Sequence, residues 1–432
     1  MKELVWAGDA RALVAELRAF APPAAEVAAA VAAIVADVRE RGDDAVREHT
    51  LRLDGVELPE RYAEPPERLR DGLAGLAPAV REGLEVAAAN IRAYHEREAP
   101  RSWRETLAQG QVVGQEVVPV GVAGLYVPGG LADYPSSVLM TAIPAQVAGV
   151  ERVVVCSPPR RGGGAAGGVA AACELLGVDD LVPIGGAQAV AAMAFGTAVV
   201  PRCDVIVGPG NAYVTEAKRQ VMGQVGIDAL AGPSEVLVIA DDSADPMWLA
   251  ADLLAQAEHG SGAMACLADV GGSQVAPVRA AAEALAAELG LTHDNVALVS
   301  CPGLEAAVAL CNEFAPEHLE LHLRDSAALV PRVRNAGAVF VGGFAATAFA
   351  DYAAGSNHVL PTGGSARFAQ GLSVEQFQKR VAVVELDAAS AAALAPHVAA
   401  IADEEGLRAH ARSARLRGGG PPPPAPSAPA RD

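Results

Sequence analysis

The chain has 432 residues, and its 52 acidic side chains outnumber its 33 basic ones, which gives a net charge of −19. Its length predicts two to four domains, and 51% hydrophobic with 20% charged residues is typical of a folded globular protein. Nucleic acid and anionic membranes would repel a chain with this negative charge, and we therefore expect neither as a partner. The absence of a long apolar span and of a signal-peptide core predicts a cytoplasmic protein.

The first quarter of the sequence has a helical pattern. Residues 1–21 predict a short helical arm, and two longer helical stretches follow at 22–42 and 67–98.

From about residue 112, short β-branched runs alternate with alanine-rich helical stretches. Such runs without regular polar alternation are typical of buried parallel strands. The nine runs are 116–121, 152–157, 180–185, 204–209, 235–241, 263–269, 296–300, 318–323 and 338–343.

Nine strands exceed one typical sheet, so the fold class we predict is α/β with two Rossmann-like open sheets and small helical extensions at both ends. After about residue 371 the pattern is mostly helical, and the final Gly- and Pro-rich stretch predicts disorder. The predicted organisation is a helical arm, a first sheet domain in two segments, an inserted second sheet domain, a C-terminal helical dimerisation extension and a tail. Their bounds are, in that order, 1–21, 22–125 with 234–371, 126–233, 372–417 and 418–432.

Glycine-rich turns follow several of the predicted strands. Tyr126–Gly130 reads YVPGG, Gly185–Gln188 reads GGAQ and Gly208–Asn211 reads GPGN. Open α/β sheets bind ligands at the carboxyl ends of their strands, and helix N-termini attract phosphates, so these turns together indicate a nucleotide crevice. Each turn alone is equally explained as a tight turn. Gly162–Gly167 formally matches the dinucleotide fingerprint, but residues 158–161 separate it from its strand, so we interpret it as a surface loop.

Several polar residues have the chemistry of a metal or acid–base site. Gln256 and His259 share one face near a helix end, and Asp351 supplies a hard carboxylate ligand. The adjacent pair Glu317–His318 combines the two commonest acid–base groups, and both can reach one site only from an irregular loop before the strand. Taken singly, each is also compatible with a capping, turn or surface role, and His410 has only the pattern of a solvated helix. The six cysteines are scattered in apolar runs, which favours buried reduced thiols.

Taken together, these segments closely resemble the histidinol dehydrogenase family. The resemblance spans residues 121–417 and is carried by long runs in order, including GLYVPGG, GPGNAYVTEAKRQV, AGPSEVLVIAD, DLLAQAEHG, FAPEHLEL and DYAAGSNHVLPTGG. It implies oxidation of L-histidinol to L-histidine through L-histidinal with two NAD⁺ and one Zn²⁺ per subunit, in the last steps of histidine biosynthesis. It also implies a homodimer whose sites are shared between subunits.

The resemblance also implies roles for individual positions. The implied zinc ligands are Gln256, His259, Asp351 and His410, the last from the partner subunit. The implied NAD contacts are Tyr126, Gln188 and Asn211. The implied substrate contacts are Ser234, Glu317, His318, Tyr352, His358 and Glu405, together with the four zinc ligands.

The residue types suit this chemistry. His318 is a natural base for the alcohol proton, and Glu317 can activate water on the bound aldehyde, so we expect these two to be catalytic. A covalent route through Cys156 would need an activating histidine nearby. A zinc hydrolase and a two-domain ligand-binding protein are the competing hypotheses. The glycine-rich turns argue against the first, and the lack of a signal peptide weakens the exported form of the second.

Overall fold

The computed structural model describes residues 1–19, 27–129, 133–260 and 262–419. Gly130 of the YVPGG turn and residues 420–432 of the predicted tail lie outside the described residues. The chain divides into a larger unit, Met1–Ala99 with Val120–Phe377, and a smaller one, Pro100–Pro119 with the chain from Gln378 onward. No helix in the described ranges is long and apolar enough to cross a bilayer.

The helices and strands of the two units follow in chain order. The helices are α1 (Ala10–Arg18), α2 (Ala28–Arg41), α3 (Asp43–Asp54), α4 (Pro66–Ala74), α5 (Pro78–Glu98), α6 (Pro135–Ala148), α7 (Gly167–Leu176), α8 (Gly186–Phe195), α9 (Ala212–Val221), α10 (Pro246–Ala257), α11 (Val275–Leu289), α12 (Leu304–Phe314), α13 (Ser326–Leu329), α14 (Thr347–Tyr352), α15 (Ala388–Glu404) and α16 (Arg408–Arg417). The strands are β1 (Lys2–Val5), β2 (Trp103–Thr106), β3 (Val112–Pro119), β4 (Val122–Tyr126), β5 (Arg152–Cys156), β6 (Asp180–Val182), β7 (Val205–Val207), β8 (Gly226–Ile227), β9 (Glu235–Ala240), β10 (Met264–Val270), β11 (Val296–Cys301), β12 (His318–His322), β13 (Ala338–Val341) and β14 (Gln378–Glu385).

The first sheet of the larger unit has six parallel strands in the order β1-β11-β10-β9-β12-β13. Every residue of β9 is buried, as expected for a parallel strand covered on both faces. Helices α1 and α12 pack on one face, and α10 and α11 lie on the other. This sheet and its helices confirm one of the two predicted open sheets.

The second sheet of the larger unit has five parallel strands in the order β6-β5-β4-β7-β8. Helices α2, α8 and α9 cover one face, and α5, α6 and α7 cover the other. Residues 22–125 were predicted to belong to the domain of the other sheet, but side chains such as Ile34 and Val38 pack against this one. Amphipathic patterning identifies a buried helix face without identifying the partner that buries it.

The smaller unit contains a three-stranded antiparallel sheet, β14-β3-β2, together with α15 and α16. Two expectations are corrected here. Residues 116–121 were predicted as a buried parallel strand, yet β3 pairs antiparallel and is largely only half-buried. The segment from 372 was predicted to be mostly helical, yet Gln378–Glu385 is a strand, because its backbone pairs with that of β3 over eight positions.

The N-terminus also differs from its expectation. Lys2–Val5 is an edge strand of the six-stranded sheet, where a helical arm was predicted, and the helix begins only at Ala10. Asp9 starts that helix by accepting hydrogen bonds from the backbone N–H groups of Arg11 and Ala12. Four residues are too few to show the hydrophobic periodicity that distinguishes a strand from a helix. Their conformation is decided by backbone pairing with the open edge of β11.

Candidate active site

The predicted catalytic and metal-ligating residues of the larger unit come together at the amino ends of β9 and β12. Ser234 and Glu317 immediately precede these strands, and His318 begins β12. Helix α10 runs in the opposite direction, so Gln256 in its last turn and His259 just beyond it lie at the same edge. Glu317 stands in the loop before the strand, where Ala315, two residues earlier, has a left-handed φ of 51°, but His318 is already the first residue of β12, whereas both residues were expected in the loop.

A chain of hydrogen bonds joins three of these side chains. The Gln256 amide nitrogen donates to Ser234 Oγ at 2.9 Å, and Ser234 Oγ donates to Glu317 Oε2 at 2.7 Å. The backbone N–H of Glu235 donates to the same carboxylate oxygen at 2.9 Å. Burial raises the pKa of Glu317, against the lowering effects of His318 and these donors. A carboxylate held in this way is fixed in position and has the raised basicity that a general base needs.

His318 has a free ring nitrogen inside the site. Its Nδ1 lies 3.1 Å from the backbone carbonyl oxygen of Glu235, which places the proton on Nδ1. Its Nε2 is buried without a hydrogen-bond partner in the described structure and lies 3.7 Å from Asp351 Oδ1. An imidazole with this tautomer presents a lone pair at Nε2 and can accept a proton from a bound substrate.

Three of the predicted zinc ligands belong to this cluster, and their free atoms suit the metal. The Gln256 amide nitrogen donates a hydrogen bond to Ser234, which leaves Gln256 Oε1 available for a metal. His259 Nδ1 lies 3.1 Å from the Ala255 carbonyl oxygen, which leaves His259 Nε2 available. Asp351 adds a partly exposed carboxylate on α14. Oxygen and imidazole donors are ligands that Zn²⁺ accepts, and a backbone carbonyl behind the imidazole is its usual support.

Two further predicted substrate contacts flank Asp351. His358 Nδ1 lies 3.0 Å from the Asp351 carbonyl oxygen, and burial lowers the pKa of His358, which also experiences the charges of Asp351, His318 and His259. Tyr352 follows Asp351 and is largely exposed. Glu405 and His410 belong to the smaller unit, where both are exposed, so their place in the site remains a prediction.

The three predicted NAD contacts line one cleft of about 870 Å³ at the carboxyl ends of the five-stranded sheet. The backbone N–H of Gly186 donates to the Tyr126 hydroxyl at 3.1 Å, and the Asn211 side chain caps α9. Gln188 donates to Asp54 Oδ2 at 3.3 Å. The cleft therefore has the polar groups and the helix start that a dinucleotide requires.

Sequence reasoning missed part of this cleft. Asp54 ends α3, far away in sequence, and residues 158–161 also line the cleft, including Arg160 and Arg161. The glycines at 162–164 form the expected surface turn and are not among the lining residues. The two arginines were a readable signal, because guanidinium groups next to a glycine-rich turn suit phosphate.

A second polar cluster was also missed. Asp252, Glu320 and His322 each offer one donor atom, and these atoms lie within 4.8 Å of one another. The run 318–323 was predicted to lack polar alternation, yet His318, Glu320 and His322 alternate with Leu319 and Leu321. All five are buried, because the leucines lie in the apolar core and the polar side chains face Asp252 of α10 and Thr347 of α14.

The six cysteines are all buried and free of disulfides, as predicted. Burial raises the pKa of the Cys156 thiol well above its ordinary value. A thiol in that state is not nucleophilic, which argues against the covalent route.

Comparisons with known proteins identify the family of this chain. The family model for histidinol dehydrogenase matches residues 21–418. The chain is 48% identical over 396 residues to histidinol dehydrogenase from Pseudomonas aeruginosa, covering 89% of each chain, and 49% identical over 400 residues to that from Cereibacter sphaeroides, covering 91% of this chain and 92% of the relative. A crystal structure of histidinol dehydrogenase from Elizabethkingia anophelis superposes with a TM-score of 0.91 at 30% identity, covering 96% of this chain and 98% of the other. The chain belongs to the histidinol dehydrogenase family of oxidoreductases.

Proposed function

We propose that this chain oxidises L-histidinol to L-histidine through L-histidinal, with two NAD⁺ and one Zn²⁺ per subunit, as a cytoplasmic enzyme of histidine biosynthesis. The observation that carries the proposal is the free Nε2 of His318, which lies 3.7 Å from Asp351 and next to the buried Glu317 carboxylate. Two proton acceptors at one site match the proton transfers of two successive oxidations and of the hydration step between them.

In the proposed reaction His318 Nε2 takes the hydroxyl proton of histidinol while the carbinol hydride goes to the first NAD⁺, which yields the aldehyde. Glu317 then takes a proton from water as the water oxygen bonds to the aldehyde carbon, and protonated His318 gives its proton to the former carbonyl oxygen, which yields the neutral hydrate and leaves His318 free to act as a base again. The second hydride goes to the second NAD⁺, and His318 again takes the hydroxyl proton, which leaves the carboxylic acid. Ser234 and the Glu235 N–H keep the Glu317 carboxylate in place throughout.

The residues of the larger unit also support the proposed zinc site. Gln256, His259 and Asp351 would hold the ion, with His410 of the partner subunit as the fourth ligand in a homodimer. Bound zinc supplies a fixed Lewis-acid anchor for the imidazole and amine of the substrate and has no redox role. Tyr352, His358 and Glu405 are proposed to complete the contacts with the substrate.

The cofactor assignment is supported by the cleft that Tyr126, Gln188 and Asn211 share. Arg160 and Arg161 at its rim suit the pyrophosphate of NAD⁺. A zinc hydrolase would need no such cleft. The net charge of −19 agrees with a cationic substrate and supports the expectation of no nucleic-acid partner.

The decisive experiment measures NADH formed from L-histidinol. We expect two NADH per histidinol, loss of the activity with a chelator, and recovery with Zn²⁺. A yield of one NADH would contradict the four-electron reaction, and full activity in excess chelator would contradict the role of zinc.

The division of labour between the two bases is tested with the separate half-reactions. His318→Asn should slow both half-reactions, because His318 takes a proton in each, whereas Glu317→Gln should mainly slow oxidation of supplied histidinal. General-base assistance is worth about 10²–10⁴-fold. Equal losses in both half-reactions for both variants would count against this assignment.

A further inference from the structure

A second layer of polar side chains lies one step further along the same three elements that carry the candidate active site. On β12, Glu320 follows His318 on the same face of the strand. On α10, Asp252 lies four residues before Gln256, and on α14, Thr347 lies four residues before Asp351. Each of the three elements therefore carries one residue of the candidate active site and one residue of this second layer. The two residues are one helical turn apart on α10 and α14 and two residues apart on β12.

Glu320 connects this layer to α14 directly. It has no solvent exposure, and its Oε1 accepts a hydrogen bond from the Thr347 backbone N–H at 2.7 Å and another from the Thr347 hydroxyl at 2.7 Å. Its Oε2 lies 3.3 Å from His322 Nε2. Burial raises the pKa of Glu320, but the hydrogen bonds from His322 and Thr347 outweigh that effect and leave the pKa below its ordinary value. The carboxylate is therefore ionised, and its bonds to Thr347 are charge-assisted.

Bonds between the His358 ring and the Asp351 carbonyl oxygen, and between the Asn90 amide and the Ala353 carbonyl oxygen, hold the C-terminal end of helix α14; among the described residues, the bonds to Glu320 hold its start. It is six residues long, and Ala350 is its only buried side chain. Isolated helices of this length are unstable in water, so specific tertiary bonds must hold the segment. The two hydrogen bonds that Thr347 donates to Glu320 hold the first residue of the helix, and Asp351 lies one turn later, with its Oδ1 at 3.7 Å from His318 Nε2.

We propose that Glu320 is a positioning residue that holds the first turn of α14 through Thr347 and thereby sets the position of the Asp351 carboxylate for zinc. This inference rests on the proposed role of Asp351 as a zinc ligand. Glu320 touches neither the substrate nor the metal; it acts through α14. Outer partners of metal ligands change metal affinity about 10–100-fold when they are removed.

The same cluster offers three donor atoms for a cation, and the structure argues against that use. Glu320 Oε1 already accepts two hydrogen bonds from Thr347. Burial and the charge of Glu320 raise the pKa of Asp252 to about 8. A carboxyl group with a raised pKa keeps its proton to higher pH, which makes Asp252 a poor metal ligand. The cluster therefore works as a hydrogen-bonded support.

The test measures zinc affinity by competition with a chelator on the purified full-length protein, without any turnover assay. We expect about tenfold weaker zinc binding for Thr347→Val, which loses the hydroxyl and keeps the shape, and for Glu320→Gln, which loses the charge. Thr347→Ser keeps the hydroxyl and should stay within about twofold of the parent. Ala348→Ser, on the exposed side of the same helix, is the matched control and should leave zinc affinity unchanged.

The outcomes separate this inference from the proposed function. Parental zinc affinity in folded Thr347→Val and Glu320→Gln, alongside weakened binding in Asp351→Asn, would overturn the positioning role alone. Parental affinity in Asp351→Asn would overturn the proposed ligand set instead. Two zinc ions per chain, with one lost in Glu320→Gln, would show that the cluster is a metal site and would also overturn the inference. Should Glu320→Gln fail to fold, the Thr347 pair still decides the question.

Discussion

Ser234 is the most informative single residue for testing the geometry of the active site. Its hydroxyl connects Gln256 at 2.9 Å to Glu317 at 2.7 Å, so one oxygen atom supports both a predicted zinc ligand and a predicted base. Ser234→Ala removes that oxygen and leaves the Glu317 carboxylate with the backbone N–H of Glu235 as its remaining donor among those described here. Both half-reactions should suffer, but the one that needs ionised Glu317 should suffer more.

The magnitude follows from the bond that is lost. A hydrogen bond to a charged group is worth about 1.5–3 kcal/mol, and about 1.4 kcal/mol corresponds to a factor of ten. Oxidation of supplied histidinal should therefore fall about 10–100-fold in Ser234→Ala. The Ser234 bond lowers the pKa of Glu317 against the effect of burial, so its removal raises that pKa further. Because Glu317 acts as an ionised base, the acidic limb of the pH–rate profile should move to higher pH.

The assay is NADH formation from histidinal at saturating Zn²⁺ and NAD⁺ across the acidic pH range. Ser326→Ala is the matched control, because Ser326 is also buried and hydrogen-bonded, here to the Leu321 carbonyl oxygen, but lies away from the site. It should lose about 1 kcal/mol of stability and keep the parental pH profile. A parental rate and profile in Ser234→Ala would refute the reasoning, since Glu317 would then function without the serine.

Three further predictions concern the cofactor cleft, its supporting ion pair and the subunit interface. Tyr126→Phe removes the acceptor of the Gly186 N–H and should raise the KM for NAD⁺ severalfold with little change in kcat, measured by steady-state kinetics; an unchanged KM would contradict the contact. Lys218 is buried and donates to Asp228 at 2.6 Å and to the Gly208 carbonyl oxygen at 2.5 Å, so Lys218→Met should cost about 3–5 kcal/mol in urea unfolding. The double variant Lys218→Met/Asp228→Asn should recover part of that loss, and no recovery would mean that the buried charge of Asp228 is not the cause. The Asp351→Asn and His410→Ala proteins should each be inactive, and the two are unfolded and refolded together as a mixture. If His410 serves the partner's site, random pairing of subunits should restore about a quarter of the parental activity, because half of the dimers are mixed and each mixed dimer has one intact site. A mixture that stays inactive would show that His410 does not serve the partner's site.

Much of this protein was determined by its sequence alone. The β-branched runs predicted the buried parallel strands, because strands covered on both faces need apolar side chains throughout. The resemblance to the histidinol dehydrogenase family grouped Glu317, His318, Gln256, His259 and Asp351 into one predicted site, and the glycine turns marked the edge of the five-stranded sheet where Tyr126, Gln188 and Asn211 meet. The strands and the turns are local features, because they depend on residue type and short spacing, whereas the grouping depends on the order of the family's motifs along the chain.

Other features were decided only by tertiary structure. Four residues at the N-terminus became a strand because β11 had an open edge, and Gln378–Glu385 became a strand because β3 was there to pair with it. Asp54 reached the cofactor cleft, and Glu320 reached Thr347, across 134 and 27 residues of chain respectively. Backbone pairing and buried polar contacts join residues that are distant in sequence, and no local pattern encodes which distant partner will satisfy a strand edge or a buried carboxylate.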